Sequence, residues 1–140
     1  MKEVLTSLPE LSTISSEYNK NGNKLGMLRS RLFPDDPLDF IKRCVKDRKI
    51  NWTFHVNMRL RGRYIPRRMI LESVESFEII EAYPEDKYLP SYLVFSRHGD
   101  FAFHVLFAVD VAGENVRIIT AYRPNPEEWE EDLKTRRRLP

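Results

Sequence analysis

One segment of the chain combines an imidazole with guanidinium groups at regular spacing. His55, Arg59 and Arg63 lie four residues apart within TFHVNMRLRGRYIPRR, residues 53–68. In an α-helix these positions lie along one side within roughly 80° of arc, so their side chains would share a face. Guanidinium groups bind phosphate through paired hydrogen bonds and keep their charge, and an imidazole transfers protons near neutral pH. The segment predicts an anion site; a solvated helix face is the alternative that stays open.

Further candidate groups lie on predicted strands. His104 is within the apolar strand FAFHVLFAVDV, and Tyr122 and Arg123 follow the end of VRIITA. Tyrosine and arginine at the end of a strand can stack on a base or bind a phosphate. His104 has a structural alternative as a core histidine bonded to the backbone, and Tyr122 as a side chain that closes the core. The third histidine, His98, lies at a predicted hairpin tip, where we expect it to be solvated.

Metal-independent cleavage of RNA needs this combination of groups. The 2′-hydroxyl must lose a proton, the leaving oxygen must gain one, and the charge on phosphorus needs fixed cations. The hypothesis assigns acid–base roles and phosphate binding to two sets of residues, namely His55, His104 and Tyr122 for proton transfer and Arg59, Arg63 and Arg123 for phosphate.

The sequence lacks the motifs that other common chemistries require. The chain contains no GxGxxG, GxxxxGK[ST] or GxSxG motif, and its three histidines have no spacing typical of metal ligands. Cys44 is the single cysteine, which excludes an internal disulfide and cysteine-rich zinc sites. Its place in FIKRCVKD favours a core residue over a reactive thiol. The sequence therefore predicts neither a cofactor nor a metal.

The composition is that of an ordinary globular protein. The chain has 140 residues, 41% of them hydrophobic and 31% charged, and a formal net charge of +2. The charge is distributed in patches, because residues 59–68 are basic and residues 72–86 are mostly acidic. No apolar run approaches the roughly 20 residues of a membrane span, and the first residues lack a secretion signal. We expect a cytoplasmic protein.

The chain is expected to comprise an arm and one domain. Residues 1–35 combine weak helical periodicity with the polar stretch YNKNGNKLG, which predicts a partly helical or flexible arm. Residues 36–140 form the predicted domain. Asp36 and Pro37 are typical of a helix start, and the apolar spacing that follows predicts an amphipathic helix over 35–49.

The rest of the domain is predicted to be mostly β. INWTF predicts a short strand, residues 55–61 are predicted helical, and PRRMILESVESF predicts a second helix. Four strands follow, at 77–83, 91–98, 101–111 and 116–122, with Gly99-Asp100 typical of a hairpin turn. Asn125 and Pro126 predict a closing helix over 125–138. The expected fold is therefore α+β, with N-terminal helices packed on an antiparallel sheet of about four strands and a C-terminal helix.

Four segments resemble, in order, the bacterial domain-of-unknown-function family 4258. They span about residues 36–137 and read DPLDFIKRCVKDRKINWTFHVNMRLRGRYIPRRMI, IIEAYPEDKYLPSYLVFSRH, FHVLFAVD and VRIITAYRPNPEEWEED. The family is similar to small ribonuclease toxins of the RelE, ParE and BrnT kind. That similarity implies a curved antiparallel sheet packed against N-terminal helices, and an antitoxin that plugs the active cleft.

The resemblance also implies site positions, because members look alike at His55, Arg59, His104 and Thr120–Pro124. The wider toxin group uses mixtures of His, Arg, Lys and Tyr, and one relative within that fold poisons DNA gyrase by binding alone. We therefore expect a toxin-type, metal-independent endoribonuclease with RNA and an antitoxin as partners. The alternative is a non-catalytic protein-binding domain, either a gyrase poison or an interaction module. Whether the chain forms a homodimer stays open.

Overall fold

A computed structural model describes residues 32–52, residue 56 and residues 65–138. The chain divides into two compact units, residues 1–32 and residues 33–140, and the account below concerns the second. The predicted helical segment 55–61 lies outside the described residues apart from Val56, which is helical and buried. The predicted arm lies almost wholly outside them as well.

A five-stranded mixed sheet is the centre of this unit. Its spatial order is β1-β5-β4-β3-β2. The strands are β1 (Ile50–Asn51), β2 (Glu78–Tyr83), β3 (Ser91–His98), β4 (Phe101–Asp110) and β5 (Asn115–Tyr122). Strands β2 to β5 form an antiparallel meander, and β1 pairs with β5 in parallel. The predicted hairpin between β3 and β4 is confirmed, with Gly99 at φ +63°, a conformation that glycine adopts without steric cost.

Among the described residues, two short helices lie on one side of the sheet. Helix α1 (Pro37–Lys46) begins as predicted, because the Asp36 carboxylate accepts a hydrogen bond from the Asp39 N–H at 3.1 Å. It packs on β5 and buries one apolar side, which includes the predicted core residue Cys44. Helix α2 (Arg67–Glu72) packs on β3.

Helix α2 is shorter than the predicted 66–77. The Ser73 hydroxyl and N–H both bond to the Met69 carbonyl, at 2.6 and 3.1 Å, and a 3-10 turn over Val74–Ser76 follows. A serine bonded to the backbone four residues earlier competes with helix continuation. The chain then enters β2.

The two faces of the sheet differ in composition. The core face, which the helices cover, is apolar and consists in its middle strands of Val94, Phe103, Val105, Phe107, Val109, Val116 and Ile118. All of these are 0–1% exposed. The opposite face, here called the polar face, includes Glu81, Leu93, His104, Leu106 and Tyr122, which occupy neighbouring register positions.

The predicted fold class is wrong in its sheet and in its helices. The sheet has five strands and is mixed, because the short strand predicted at INWTF joins it as the parallel edge strand β1, and a local sequence pattern does not reveal strand pairing. The predicted helix over 125–138 is absent as well. Helices also contribute less than expected, since among the described residues only α1 exceeds six residues.

Local hydrogen bonding explains why the closing helix does not form. Asn125 starts a single turn, with its carbonyl accepting from the Glu128 and Trp129 N–H groups. Asp132 then accepts from the backbone N–H groups of the next residues, including Lys134 at 2.8 Å, and Leu133 has φ +60°. An aspartate bonded to following N–H groups stabilises a turn instead of a helix. Residues 123–138, here called the C-terminal segment, therefore fold back on themselves.

Candidate functional site

His104 is a fully buried polar group of the polar face. It is 0% exposed, and both ring nitrogens have partners. Nε2 lies 2.7 Å from the Leu133 carbonyl oxygen, and Nδ1 lies 3.4 Å from the Tyr122 hydroxyl. Because a carbonyl only accepts, Nε2 carries the proton and Nδ1 accepts from Tyr122. Burial is the main cause that lowers the pKa of His104, so the ring is neutral at pH 7.

Aromatic rings surround this imidazole. The Trp129 ring meets it edge to face with centroids 4.6 Å apart, and the Tyr122 and Phe95 rings lie at 5.3 and 6.2 Å. Trp129 itself is 1% exposed. The C-terminal segment therefore anchors to the polar face through one indole and one carbonyl, both against His104.

Ion pairs fix the rest of the C-terminal segment to β2. Lys134 lies 3.0 Å from Glu78, and the Arg136 guanidinium donates to both oxygens of Glu81, at 2.7 and 3.3 Å. The Arg136 guanidinium also stacks over Trp129, 4.5 Å from the ring centroid. These contacts bring a cation from the end of the chain beside the strands of the sheet.

Two β-bulges orient the side chains at this position. The β2–β3 register shifts at Ile80, and the β4–β5 register shifts at Ile119. Strict alternation would place Glu81 and Tyr122 on the core face, and each bulge reverses the alternation after it. Glu81, Tyr83 and Tyr122 are therefore on the polar face.

Tyr83 and Tyr122 line a pocket of ≈ 300 Å³, here called the polar-face pocket. It is lined by Tyr83, Asp86, Leu93, Leu106, Thr120, Tyr122 and Arg136. The Tyr83 hydroxyl donates a hydrogen bond to the Glu81 carboxylate, which also accepts a hydrogen bond from the Arg136 guanidinium. Tyr122 presents its hydroxyl beside these groups while His104 lies behind it. The pocket thus combines two phenols, a carboxylate and a guanidinium.

The titration of these groups is perturbed. Burial raises the pKa of Tyr122, and burial together with the hydrogen bond to Glu81 raises the pKa of Tyr83. The hydrogen bond to Glu81 is the main cause that raises the pKa of Arg136. Both tyrosines therefore keep their protons at neutral pH, and the arginine keeps its charge. Clusters of perturbed groups beside a pocket are typical of functional sites.

The structure brings together some of the predicted site residues and separates another. His104 and Tyr122 are neighbours, as described above. Arg123 lies apart from them, because its guanidinium is 4.7 Å from the ring centroid of Phe101, which is on the core side of β4. His55, Arg59 and Arg63 lie outside the described residues, and the helical side that they were predicted to share stays a prediction.

Sequence reasoning missed Glu81, Tyr83 and Arg136. For Glu81 and Tyr83 the sequence does hold a signal. The bulge before them falls on an Ile-Ile pair that interrupts the alternation of β2, and the bulge in β5 falls on a second such pair. Arg136 had no such signal, because its position depends on how the C-terminal segment folds back.

Two properties of the described part of the chain bear on the class of site. Within residues 32–52, 56 and 65–138, no three His, Cys, Asp or Glu side chains cluster in a way that would hold a metal ion. No helix in these ranges has the length and apolar character to cross a membrane.

Comparison with known proteins identifies one family. The family model described as "Domain of unknown function (DUF4258)" matches residues 52–123. No curated protein and no solved structure matches the chain. The matched region covers β2 to β5, and with them the polar-face pocket except for Arg136. It also covers just over half of the chain, so the chain belongs to the DUF4258 family.

Proposed function

We propose that this member of the DUF4258 family is a metal-independent endoribonuclease of toxin type that acts at the polar-face pocket. The observation that carries the proposal is that Tyr122 and Arg136 line one pocket, while the Glu81 carboxylate is hydrogen-bonded to Arg136 beside it. A carboxylate, a protonated phenol and a fixed cation are the groups that cleavage by the neighbouring 2′-hydroxyl requires.

Each group has a distinct role in the proposed reaction. Glu81 takes the proton of the 2′-hydroxyl as that oxygen attacks phosphorus. Tyr122 gives its proton to the 5′-oxygen as the P–O5′ bond breaks, so the products are a 2′,3′-cyclic phosphate and a 5′-hydroxyl end. Arg136 stabilises the additional negative charge on the phosphoryl oxygens, since its guanidinium keeps its charge throughout.

His104 has an indirect role in this proposal. It is fully buried and its Nε2–H is bonded to Leu133, so it does not touch the RNA. Its Nδ1 accepts from the Tyr122 hydroxyl and thereby orients that side chain, and in the proposed step the hydroxyl turns from Nδ1 to donate its proton to the 5′-oxygen. His104 is therefore a positioning residue. The earlier hypotheses for His55, Arg59 and Arg63 stay predictions, and Arg123 is left without a role at this pocket.

The proposal is tested with the purified full chain, single-stranded RNA and excess EDTA. We expect cleavage that EDTA does not abolish and that leaves 5′-hydroxyl ends. Tyr122→Phe removes one oxygen, and we expect it to lower the rate by about 10²- to 10⁴-fold, the usual contribution of a general acid. Arg136→Ala is expected to act in the same direction, because the phosphate then loses its cation.

Arg137→Ala is the matched control. Arg137 is adjacent in sequence and pairs with the exposed Glu130 at 3.1 Å, outside the pocket. Its loss should leave the cleavage rate unchanged. Cleavage that survives Tyr122→Phe and Arg136→Ala at the wild-type rate would contradict the assigned site.

One observation favours a second candidate, a non-catalytic protein-binding domain. Both ring nitrogens of His104 and both oxygens of Glu81 already have partners within the chain. Induced expression in a bacterium separates the candidates. Growth arrest with fragmented RNA supports the ribonuclease, and growth arrest with intact RNA supports a binding poison. An antitoxin that covers the pocket would relieve arrest in either case.

A further inference from the structure

A second cleft lies at the sheet edge where β1 pairs with β5. Its volume is ≈ 680 Å³, and it is here called the edge cleft. Among the described residues, its lining includes Lys49, Trp52, Arg67, Glu114, Asn115 and Arg117. The ribonuclease proposal above does not use any of them.

The edge cleft is strongly cationic. Within the part of the chain that the structure describes, its lining holds the cationic side chains of Arg48, Lys49, Arg67 and Arg117 and one carboxylate, that of Glu114. The Lys49–Glu114 pair is 3.6 Å apart with both side chains at least half exposed, and Arg117 lies 3.8 Å from Asp110. Both distances are long for an ion pair, and both cations are about half exposed, so the pairs are weak and leave the field of the cleft positive.

An aromatic side chain accompanies the cations. The Arg67 guanidinium stacks over Trp52, 4.7 Å from its ring centroid, and Trp52 is only half-buried. The amides of Asn51 and Asn115 add hydrogen-bond donors and acceptors to the same lining. Cations interleaved with an aromatic ring are the combination that binds the backbone and bases of single-stranded nucleic acid.

The register of β5 connects the edge cleft with the polar-face pocket. Arg117 pairs with Ala108, and Thr120 pairs with Leu106, so both lie on the polar face. The two residues are three positions apart along the strand, so their Cα atoms are separated by roughly 10 Å. A single nucleic-acid strand that follows β5 would therefore contact both sites.

We propose that the edge cleft binds the phosphodiester backbone of single-stranded RNA and holds the substrate strand that enters the polar-face pocket. This inference rests on the proposed ribonuclease function for the choice of RNA. It assigns Lys49 and Arg117 to phosphate contacts, since both side chains are exposed and neither lines the polar-face pocket.

The test measures binding apart from cleavage. The probe is a fluorescent 2′-O-methyl RNA of about 12 nucleotides, within the length that a small single-strand-binding domain contacts. Its methylated 2′-oxygens cannot attack phosphorus. Binding to the full chain is followed by fluorescence anisotropy at several salt concentrations. For a single strand, each lost phosphate contact lowers the slope of log K against log [salt] by about 0.7.

The variant removes two cations from the cleft, and the control removes two elsewhere. Lys49→Ala with Arg117→Ala should lower the magnitude of the slope by about 1.4, together with the affinity. Arg43→Ala with Lys46→Ala makes the same charge change in exposed pairs with Asp39 and Glu75, outside both pockets. The control should retain the wild-type slope.

Each outcome decides one question. If the cleft variant binds the probe with the wild-type slope and affinity, or if the wild-type chain does not bind it, the inference is overturned. If the wild-type chain binds through the cleft but leaves unmodified RNA intact, the cleft assignment is supported and the proposed ribonuclease function fails.

Discussion

The two faces of the sheet are covered in different ways. The core face meets helices α1 and α2 through aliphatic and aromatic side chains, and its central positions are 0–1% exposed. The polar face is covered by the C-terminal segment, which has no helix and is held by Trp129, the Leu133 carbonyl and two ion pairs. The regular spacing of buried apolar residues determines what packs on the core face, whereas a few individual contacts determine what covers the polar face.

This difference has a consequence for where function lies. A continuous apolar face tolerates few changes, because close packing penalises any change of volume. A face covered by single contacts leaves polar groups beside open space, as at Tyr122 and Arg136. The core face stabilises the domain, and the polar face supplies its candidate chemistry.

Truncation of a core-face ring should have the largest effect on stability. Phe107 is 0% exposed and lies 5.6 Å from Phe77, measured between ring centroids. We expect Phe107→Ala to lower the free energy of unfolding by about 3–5 kcal/mol, through lost burial and a cavity. Urea denaturation measures the change. Leu106→Ala is the neighbouring control on the polar face, where the side chain is only half-buried, and an equal loss there would break the contrast between the faces.

Removal of the Trp129 side chain, which anchors the C-terminal segment to the polar face, should have a smaller effect on stability. Trp129→Ala is expected to cost less than the roughly 3–5 kcal/mol typical of a buried ring, because the released C-terminal segment regains conformational entropy while the core remains packed. Limited proteolysis should then cut within residues 123–138 of an otherwise folded chain. Cooperative loss of the entire fold would show that the two faces do not differ in this way.

Protonation of the buried His104 imidazole should have a still smaller effect on stability, and this effect depends on pH. Burial lowers the pKa of His104 in the folded chain, whereas the unfolded chain binds a proton near the ordinary pKa of about 6.5. The unfolded state therefore binds more protons below that pH, so stability falls on acidification from pH 7 by up to about 1.4 kcal/mol per pH unit.

Denaturation at several pH values measures this dependence, and His104→Gln should reduce it. His98→Gln is the control, since His98 is exposed and pairs with Glu72. It should retain the part of the pH dependence that comes from His104. An unchanged profile in His104→Gln would mean that the buried ring does not cause the dependence.

The parts of the fold that the sequence predicts are those set by local signals. The capping aspartate of α1, the turn at Gly99 and the continuous apolar run of β4 each act over a few residues, and all three are found in the structure. The parallel pairing of β1 with β5 could not be predicted, because the two strands are distant in sequence.

The C-terminal segment shows how a local signal can mislead. Asn125 and Pro126 do start a turn, but Trp129 gains more from burial against His104 than from continuing a helix with little apolar periodicity. The candidate site is accordingly predicted in part. His104 and Tyr122 were identified on their strands, whereas Arg136 reaches them only through this tertiary fold.

The pairing of β1 with β5 also bears on the order in which the sheet is completed during synthesis. Ile50 leaves the ribosome early, but its partner Val116 follows only after three other strands have been made. Until then β4 has an open edge, and unpaired strand edges recruit other chains. The long loop between the partners must close before their contacts contribute, which slows the final step. A nascent chain that stalls before β5 is thus a species prone to aggregation, and its completion protects the sheet.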